Sequence, residues 1–203
     1  MPVPAQWRMD ESLPQLLARI HACRLCEAQL PLGPRPVLQA SQDARLLIVS
    51  QAPGRKVHAS GIPFDDASGE RLRDWLGVDK PAFYDATRIA IVPMGFCFPG
   101  SGNGGDLPPR PLCASTWHRP LMRHLRQVRL TLAIGSYAQA GLLANRRGAT
   151  LTDTVLAWRE HLGRGVLPLP HPSPRNRPWV MRHPWFELEL LPELKRRVRE
   201  ALA

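Results

Sequence analysis

The sequence predicts an α/β protein, a three-layer α/β/α sandwich around a central, mostly parallel four-stranded sheet. Three observations carry this expectation. Short apolar runs at Ala44–Ser50, Arg88–Met94, Leu130–Ser136 and Gly165–Ser173 have the continuous hydrophobicity of strands buried on both faces. Helical patterns alternate with them along the chain, as crossover connections between parallel strands require. The length of 203 residues and the apolar share of 44% suffice for one core, so residues 1–203 are read as a single domain.

Taken in order, Leu13–Ala22 has the spacing of a short helix that leads into a first cysteine pair. The proline-rich "LPLGPRPV" (Leu30–Val37) is a connector, and "ARLLIVS" (Ala44–Ser50) is the first strand, ending at "QAPG". Leu72, Trp75 and Leu76 share one face of a helix within Ala67–Val78. "RIAIVPM" is the second strand, and Thr116–Val128 is helical in its second half. "LTLAIGS" is the third strand and continues into a helix at Tyr137–Ala144. "GVLPLPHPS" ends the fourth strand, and Trp185–Leu202 closes the chain as an amphipathic helix. "GRKVH" (Gly54–His58) and the glycine-rich Gly100–Pro111 are expected to be flexible loops. In an open parallel sheet, active sites lie beyond the carboxyl ends of the strands, where "QAPG" and "HPSP" both fall.

Composition narrows the partners. The formal net charge is +10, and only three of the 27 basic residues are lysines (Lys56, Lys80, Lys195). Guanidinium groups grip phosphates bidentately and stack on bases, which suits a nucleic acid. Codon bias of a GC-rich genome would also favour arginine, but it does not explain the net charge. No run reaches the roughly 18 apolar residues of a membrane span, and no secretory h-region is visible, so a cytoplasmic protein is expected. No Walker A or GxGxxG pattern implies a nucleotide cofactor.

Cys23-x2-Cys26 near the start and Cys97 and Cys113 much later are the only cysteines. Disulfides are disfavoured in the cytosol, so a four-thiolate metal site is the better reading. Thiolates alone leave zinc and an iron–sulfur cluster equally open.

"SQAPG" after a strand, "GIPFDDASGERLRDWL", a cysteine after the next strand, "LAIGSYA" and a late "HPSP" together resemble the uracil-DNA glycosylase superfamily. The cysteine spacing is similar to that of its iron–sulfur branches, families 4 and 5, and the resemblance runs from about Ala18 to Val198. It implies a [4Fe–4S] cluster on Cys23, Cys26, Cys97 and Cys113. Gln51 then stands where a backbone amide meets a uracil oxygen, within a base-contacting stretch that continues through Ala52, Pro53 and Gly54. Phe64 matches the aromatic residue that stacks on the flipped base, and His171, followed by Ser173, matches the histidine that bonds the uracil O2. Arg175, Asn176, Arg177 and Trp179 match the loop that enters the duplex, with Arg175 in the wedge place and Trp179 an alternative wedge. The chain departs from the pattern at Ser50 (usually glycine), Gln51 (glutamate in family 4) and Pro93, near where family 4 has a base-reading asparagine.

Breaking an N-glycosidic bond leaves an oxocarbenium-like sugar and an anionic base, so the site needs hydrogen-bond donors to the base and a carboxylate for the sugar or water. His171 between two prolines is a donor on a restricted backbone, or else a strand-end histidine with a structural bond. Asp65 and Asp66 directly follow Phe64. Either can supply the carboxylate, and Asp66 or Ser68 can instead cap the helix that begins there. Phe64 serves as a stacking platform or as core. The reading is a monofunctional DNA-repair glycosylase acting on uracil or a related deaminated base, a monomer with DNA as its partner. Alternatives are a DNA-binding module of the same fold, a zinc protein that binds RNA, and covalent capture of an abasic sugar through His58.

Overall fold

The computed structural model describes residues 11–203; the first ten residues of the single-domain reading lie outside it. The described elements, in chain order, are helix α1 (Leu13–His21), strand β1 (Leu46–Val49), helices α2 (Arg55–Ser60), α3 (Ala67–Leu76) and α4 (Lys80–Tyr84), and strand β2 (Ile89–Ile91). A small hairpin, β3 (Ser101–Gly102) and β4 (Gly105–Asp106), precedes helix α5 (Pro111–Met122), strand β5 (Leu130–Ile134) and helix α6 (Gly135–Leu143). Helices α7 (Leu151–Leu156) and α8 (Trp158–Leu162), strand β6 (Val166–Leu169), and helices α9 (Arg177–Arg182) and α10 (Leu191–Leu202) complete it.

The four long strands pair in the order β2-β1-β5-β6, every pair parallel. Side chains of a strand alternate between faces, and here both faces are apolar. Leu46 and Ile48 of β1, Ile89 and Ile91 of β2 and Leu132 of β5 point into one core, against Leu72 and Trp75 of α3, Trp158 of α8 and Leu194 of α10. Leu47, Val49, Ala90 and Ala133 face a second core with Leu16 and Ile20 of α1, Trp117 and Leu121 of α5 and Ala138 of α6. The sequence-predicted three-layer sandwich is the observed architecture. Pro168 lies within β6, an edge strand, where a missing N–H is tolerated.

Several elements differ from expectation. The helix expected in the second half of Thr116–Val128 runs from Pro111 to Met122. Pro111 sits in the first turn, where its absent N–H is harmless, while Pro120 removes a hydrogen bond close to the C-terminal end. The closing helix is divided into a π turn at Phe186–Leu190 and α10, because Pro192 cannot donate back into the preceding turn. The "GRKVH" segment is not a loop but α2, ended by Gly61 in the left-handed region (φ 76°). The glycine-rich segment folds as β3–β4 around an Asn103-Gly104 turn, the dipeptide that two-residue hairpins favour. Among the described residues no helix is long and apolar enough to cross a membrane.

One local contact fixes the approach to the sheet edge. Phe64 is a non-glycine residue at φ 55°, a conformation that costs a bulky side chain about 1–3 kcal/mol. Gly69 in the first turn of α3 lies directly against its backbone: a Cβ there would stand 1.8 Å from the Phe64 carbonyl oxygen. In an exposed helix, glycine to alanine gains up to about 1 kcal/mol. Here Gly69→Ala is expected to destabilise by roughly 1–3 kcal/mol through overpacking, and a thermal melt of the variant against the parent checks the sign.

Candidate active site

The loops after the parallel strands enclose an open cleft with about 1750 Å³ of free space, mouth included. Its walls come from Ser50–Gly54 after β1, Pro93 after β2, Phe64 and Asp66 ahead of α3, the hairpin residues Gly104–Asp106, and His171 with Ser173–Asn176 after β6. β2 lies on one side of β1 and β5 on the other, so the cleft sits where the strand order changes direction.

His171 is half-buried and held from several sides. The Ser173 backbone N–H donates to its Nδ1 (3.2 Å), and Asn176 Nδ2 donates to its carbonyl (2.8 Å). Gly135, at φ 80°, leaves room behind the ring; a Cβ there would already touch His171 Cβ at 3.7 Å. Buried Gln139 donates to the carbonyl of Leu169, the last residue of β6 (3.0 Å). Burial lowers the His171 pKa below its ordinary 6.5, and the charges of Asp66 and Asp106 partly oppose that shift. A neutral ring that accepts at Nδ1 carries its proton on Nε2, which makes Nε2–H a donor.

The Phe64 ring faces His171 with centroids 6.5 Å apart and planes 29° from parallel, and its edge rests on Phe83 at 6.2 Å. Phe64 therefore belongs both to the core and to the cleft wall.

Asp66 caps α3, one of its carboxylate oxygens accepting the Gly69 N–H (2.9 Å), and it also lines the cleft. Asp65 is not among the residues lining the cleft; its charge acts on the buried hydroxyl of Tyr84, whose pKa is raised chiefly by burial. Gln51 lines the cleft while its side-chain amide donates to the Leu107 carbonyl (3.1 Å). Ala52, Pro53, Gly54 and Ser173 also line it.

The segment from Arg175 to Trp179 separates. Arg175 and Asn176 line the cleft, and Arg175 Nη1 donates across the mouth to the Gly104 carbonyl (3.2 Å). Arg177 is exposed at the start of α9, outside the cleft. Trp179 is placed as packing rather than as a wedge: its Nε1 donates to Thr152 Oγ1 (2.9 Å) and its ring stacks on His183 at 4.4 Å. His58 is buried beside Phe98, off the cleft wall. The sequence reading missed Asp106, which sits in the glycine-rich stretch taken for a mobile loop. The Asn103-Gly104 dipeptide was the available signal.

A separate pocket is lined by Cys23, Cys26, Cys97 and Cys113 together with Arg110 and Trp117. All four thiols are free of disulfides. Burial, reinforced by the neighbouring cysteines, raises Cys26 and pushes Cys97 and Cys113 up to about 11 and about 12. Such thiols ionise together only beside a cation. Two buried N–H donors, Arg110 Nε and Trp117 Nε1, have no partner among the described residues. Also among the described residues, no three histidine, cysteine, aspartate or glutamate side chains stand close enough to hold a single metal ion.

The family model described as the Uracil DNA glycosylase superfamily matches residues 38–195, and the chain belongs to that superfamily. The matched span contains every cleft residue named above and two of the four cysteines, Cys97 and Cys113; Cys23 and Cys26 precede it.

The state of the histidine is directly measurable. An imidazole nitrogen NMR titration should show the Nε2–H tautomer of His171 with a midpoint below 6.5. Asp66→Asn should lower the midpoint further, because a carboxylate favours the imidazolium. A midpoint above 6.5 would contradict the placement of this ring.

Proposed function

We propose that this member of the uracil DNA glycosylase superfamily hydrolyses the N-glycosidic bond of uracil, or of a related deaminated base, in DNA and leaves an abasic site. The observation that carries the reading is the facing pair of rings, Phe64 and His171, on two walls of one cleft. A base taken out of the stack needs an aromatic face and polar groups on its edge. Phe64 supplies the face. His171 supplies a neutral Nε2–H donor to the oxygen that becomes anionic as the bond breaks, the stage at which a preorganised donor contributes most. Asp66, held in place as the N-cap of α3, offsets positive charge growing on the sugar. The base leaves with the bonding electron pair and water adds to C1′. The enzyme is read as monofunctional because no lysine stands in a motif that suggests a Schiff-base lyase; Lys56 of α2 is the lysine that lines the cleft.

Arg175 at the mouth is the side chain placed to enter the space a flipped nucleotide vacates, or to hold the phosphates beside it. Lesion choice is set by the floor of the cleft, where Pro93 offers no side-chain donor. That absence of a base-reading amide favours a second reading, a DNA-binding protein of the same fold without excision.

We propose further that Cys23, Cys26, Cys97 and Cys113 hold a [4Fe–4S] cluster. A cluster spreads four thiolates wider than one zinc ion does, and the partnerless N–H groups of Arg110 and Trp117 suit sulfur acceptors. When bound, the cluster would supply positive charge to the thiolates and a cross-link between the end of α1 and the segment after β2.

The functional test is a panel of oligonucleotides carrying uracil, hypoxanthine or xanthine, followed by alkali. Base release should occur on at least one, and His171→Ala should slow single-turnover cleavage on the order of a hundredfold while affinity for undamaged DNA stays unchanged. DNA binding without release would establish the second reading. The cofactor test is separate: protein purified without oxygen should be brown and contain iron and sulfide, and Cys113→Ser should lose the colour. A colourless protein with one zinc per chain would overturn the cluster.

A further inference from the structure

We propose that Asp106 is a catalytic carboxylate of this site, the base that accepts a proton from the water attacking the sugar. The inference rests on the glycosylase reading above and concerns a residue with no counterpart in it.

The geometry around Asp106 is built rather than incidental. The β3–β4 hairpin reaches over the cleft mouth and is fastened at two points by side chains from other loops. Arg175 donates to the Gly104 carbonyl (3.2 Å), and Gln51 donates to the Leu107 carbonyl (3.1 Å). Within the hairpin, Ser101 Oγ donates to Asp106 Oδ1 (2.9 Å) and sets the carboxylate's orientation. The other oxygen, Oδ2, stands 3.1 Å from the point a Cβ on Gly54 would occupy, so a larger residue in "QAPG" would push against it. Two independent loops are thus shaped around one carboxylate.

Its position separates its role from that of Asp66. Asp66 is deeper and has one oxygen committed to the α3 amide. Asp106 is exposed at the mouth, on the side from which DNA and water arrive, and its charge still reaches His171. It forms no ion pair with a described residue, although Arg55, Lys56 and Arg175 line the same cleft. A solvent-facing carboxylate at the entrance for a polyanion weakens binding, so a purely structural role would be better served by a neutral residue. Water activation calls for the negative charge itself. In the step proposed, the water oxygen bonds to C1′ while one of its protons passes to Asp106. The C1′–N bond breaks with its electron pair leaving on the base, which His171 stabilises.

The experiment is single-turnover release of the base from about pH 4 to pH 8, spanning carboxylate ionisation, for the parent, Asp106→Asn and Asp66→Asn. Melting curves and affinity for a duplex bearing a non-hydrolysable uracil nucleotide are measured alongside. Asp106→Asn should melt like the parent, bind at least as tightly, cleave on the order of 10²-fold more slowly, and lose the carboxylate part of the acid limb, keeping only the part that follows deprotonation of His171. Added formate should restore part of the rate. Asp66→Asn, in which asparagine still caps α3, should keep the acid limb. Parent-like cleavage by Asp106→Asn, or transfer of the lost limb to Asp66→Asn, would overturn the assignment while leaving the glycosylase standing. A parent protein that binds DNA but releases no base would overturn the glycosylase reading itself, and Asp106 with it.

Discussion

Everything in this protein hangs on four residues. Leu46 to Val49 form a strand that pairs in parallel on both sides, with β2 and with β5, and is buried on both faces. Because all its neighbours run the same way, the carboxyl ends of four strands fall on one edge, and the segments that follow them must share one cleft. A strand with no exposed face cannot shift by one residue without exchanging its two cores, which locks the register and the positions of Gln51 and His171. Burying Leu46–Val49 side chains contributes about 1.5–3 kcal/mol each as an upper estimate. The chemistry is therefore a consequence of the sheet, with the side chains at its edge supplied by otherwise irregular loops.

Inside the cleft, burial and charge oppose each other on one ring. Removing His171 from water disfavours its cation, while Asp66 and Asp106 favour it; burial dominates and the ring stays neutral. That balance keeps the ring in place, since an imidazolium would carry a proton on Nδ1 and lose the bond it accepts there from the Ser173 N–H. The two carboxylates prevent the shift from becoming larger. The surrounding Arg55, Lys56 and Arg175 make the cleft attractive to phosphate, and the basic balance of the chain as a whole acts in the same direction.

What could be read from the sequence divides along physical lines. The strands were legible because a two-sided buried strand is a run of apolar residues, a property local to the chain. The cleft positions of His171 and Phe64 were legible because they sit in short motifs, one just after β6 and one just ahead of α3. Asp106 was not: its place in the cleft wall depends on a tertiary approach to Gly54 and on fastening of the hairpin by Gln51 and Arg175, none of which leaves a periodic trace. Trp179 was misleading for the converse reason. An indole among arginines resembles an exposed recognition loop, but Thr152 and His183, which hold it down, come from α7 and from the end of α9. The α2 helix was hidden in a polar hexapeptide whose only strong signal is the glycine that ends it.

The cysteine pocket and the cleft are not independent, because one segment serves both. Pro93 lines the cleft, and four residues later Cys97 lines the cysteine pocket. His118 of α5 donates from Nε2 to the Pro93 carbonyl (2.9 Å), and its ring stacks on Phe96 at 5.8 Å. The Phe96 N–H in turn donates to the sulfur of Cys113, on the same helix (3.3 Å). The helix that carries Cys113 thus grips the segment after β2 at two points, Pro93 in the cleft wall and Phe96 in the cysteine pocket. A shift of Cys113 along this helix would therefore also move Pro93 in the cleft wall. The cysteine pocket is thus coupled to the cleft through the position of one shared segment, although its four thiols line no part of the cleft.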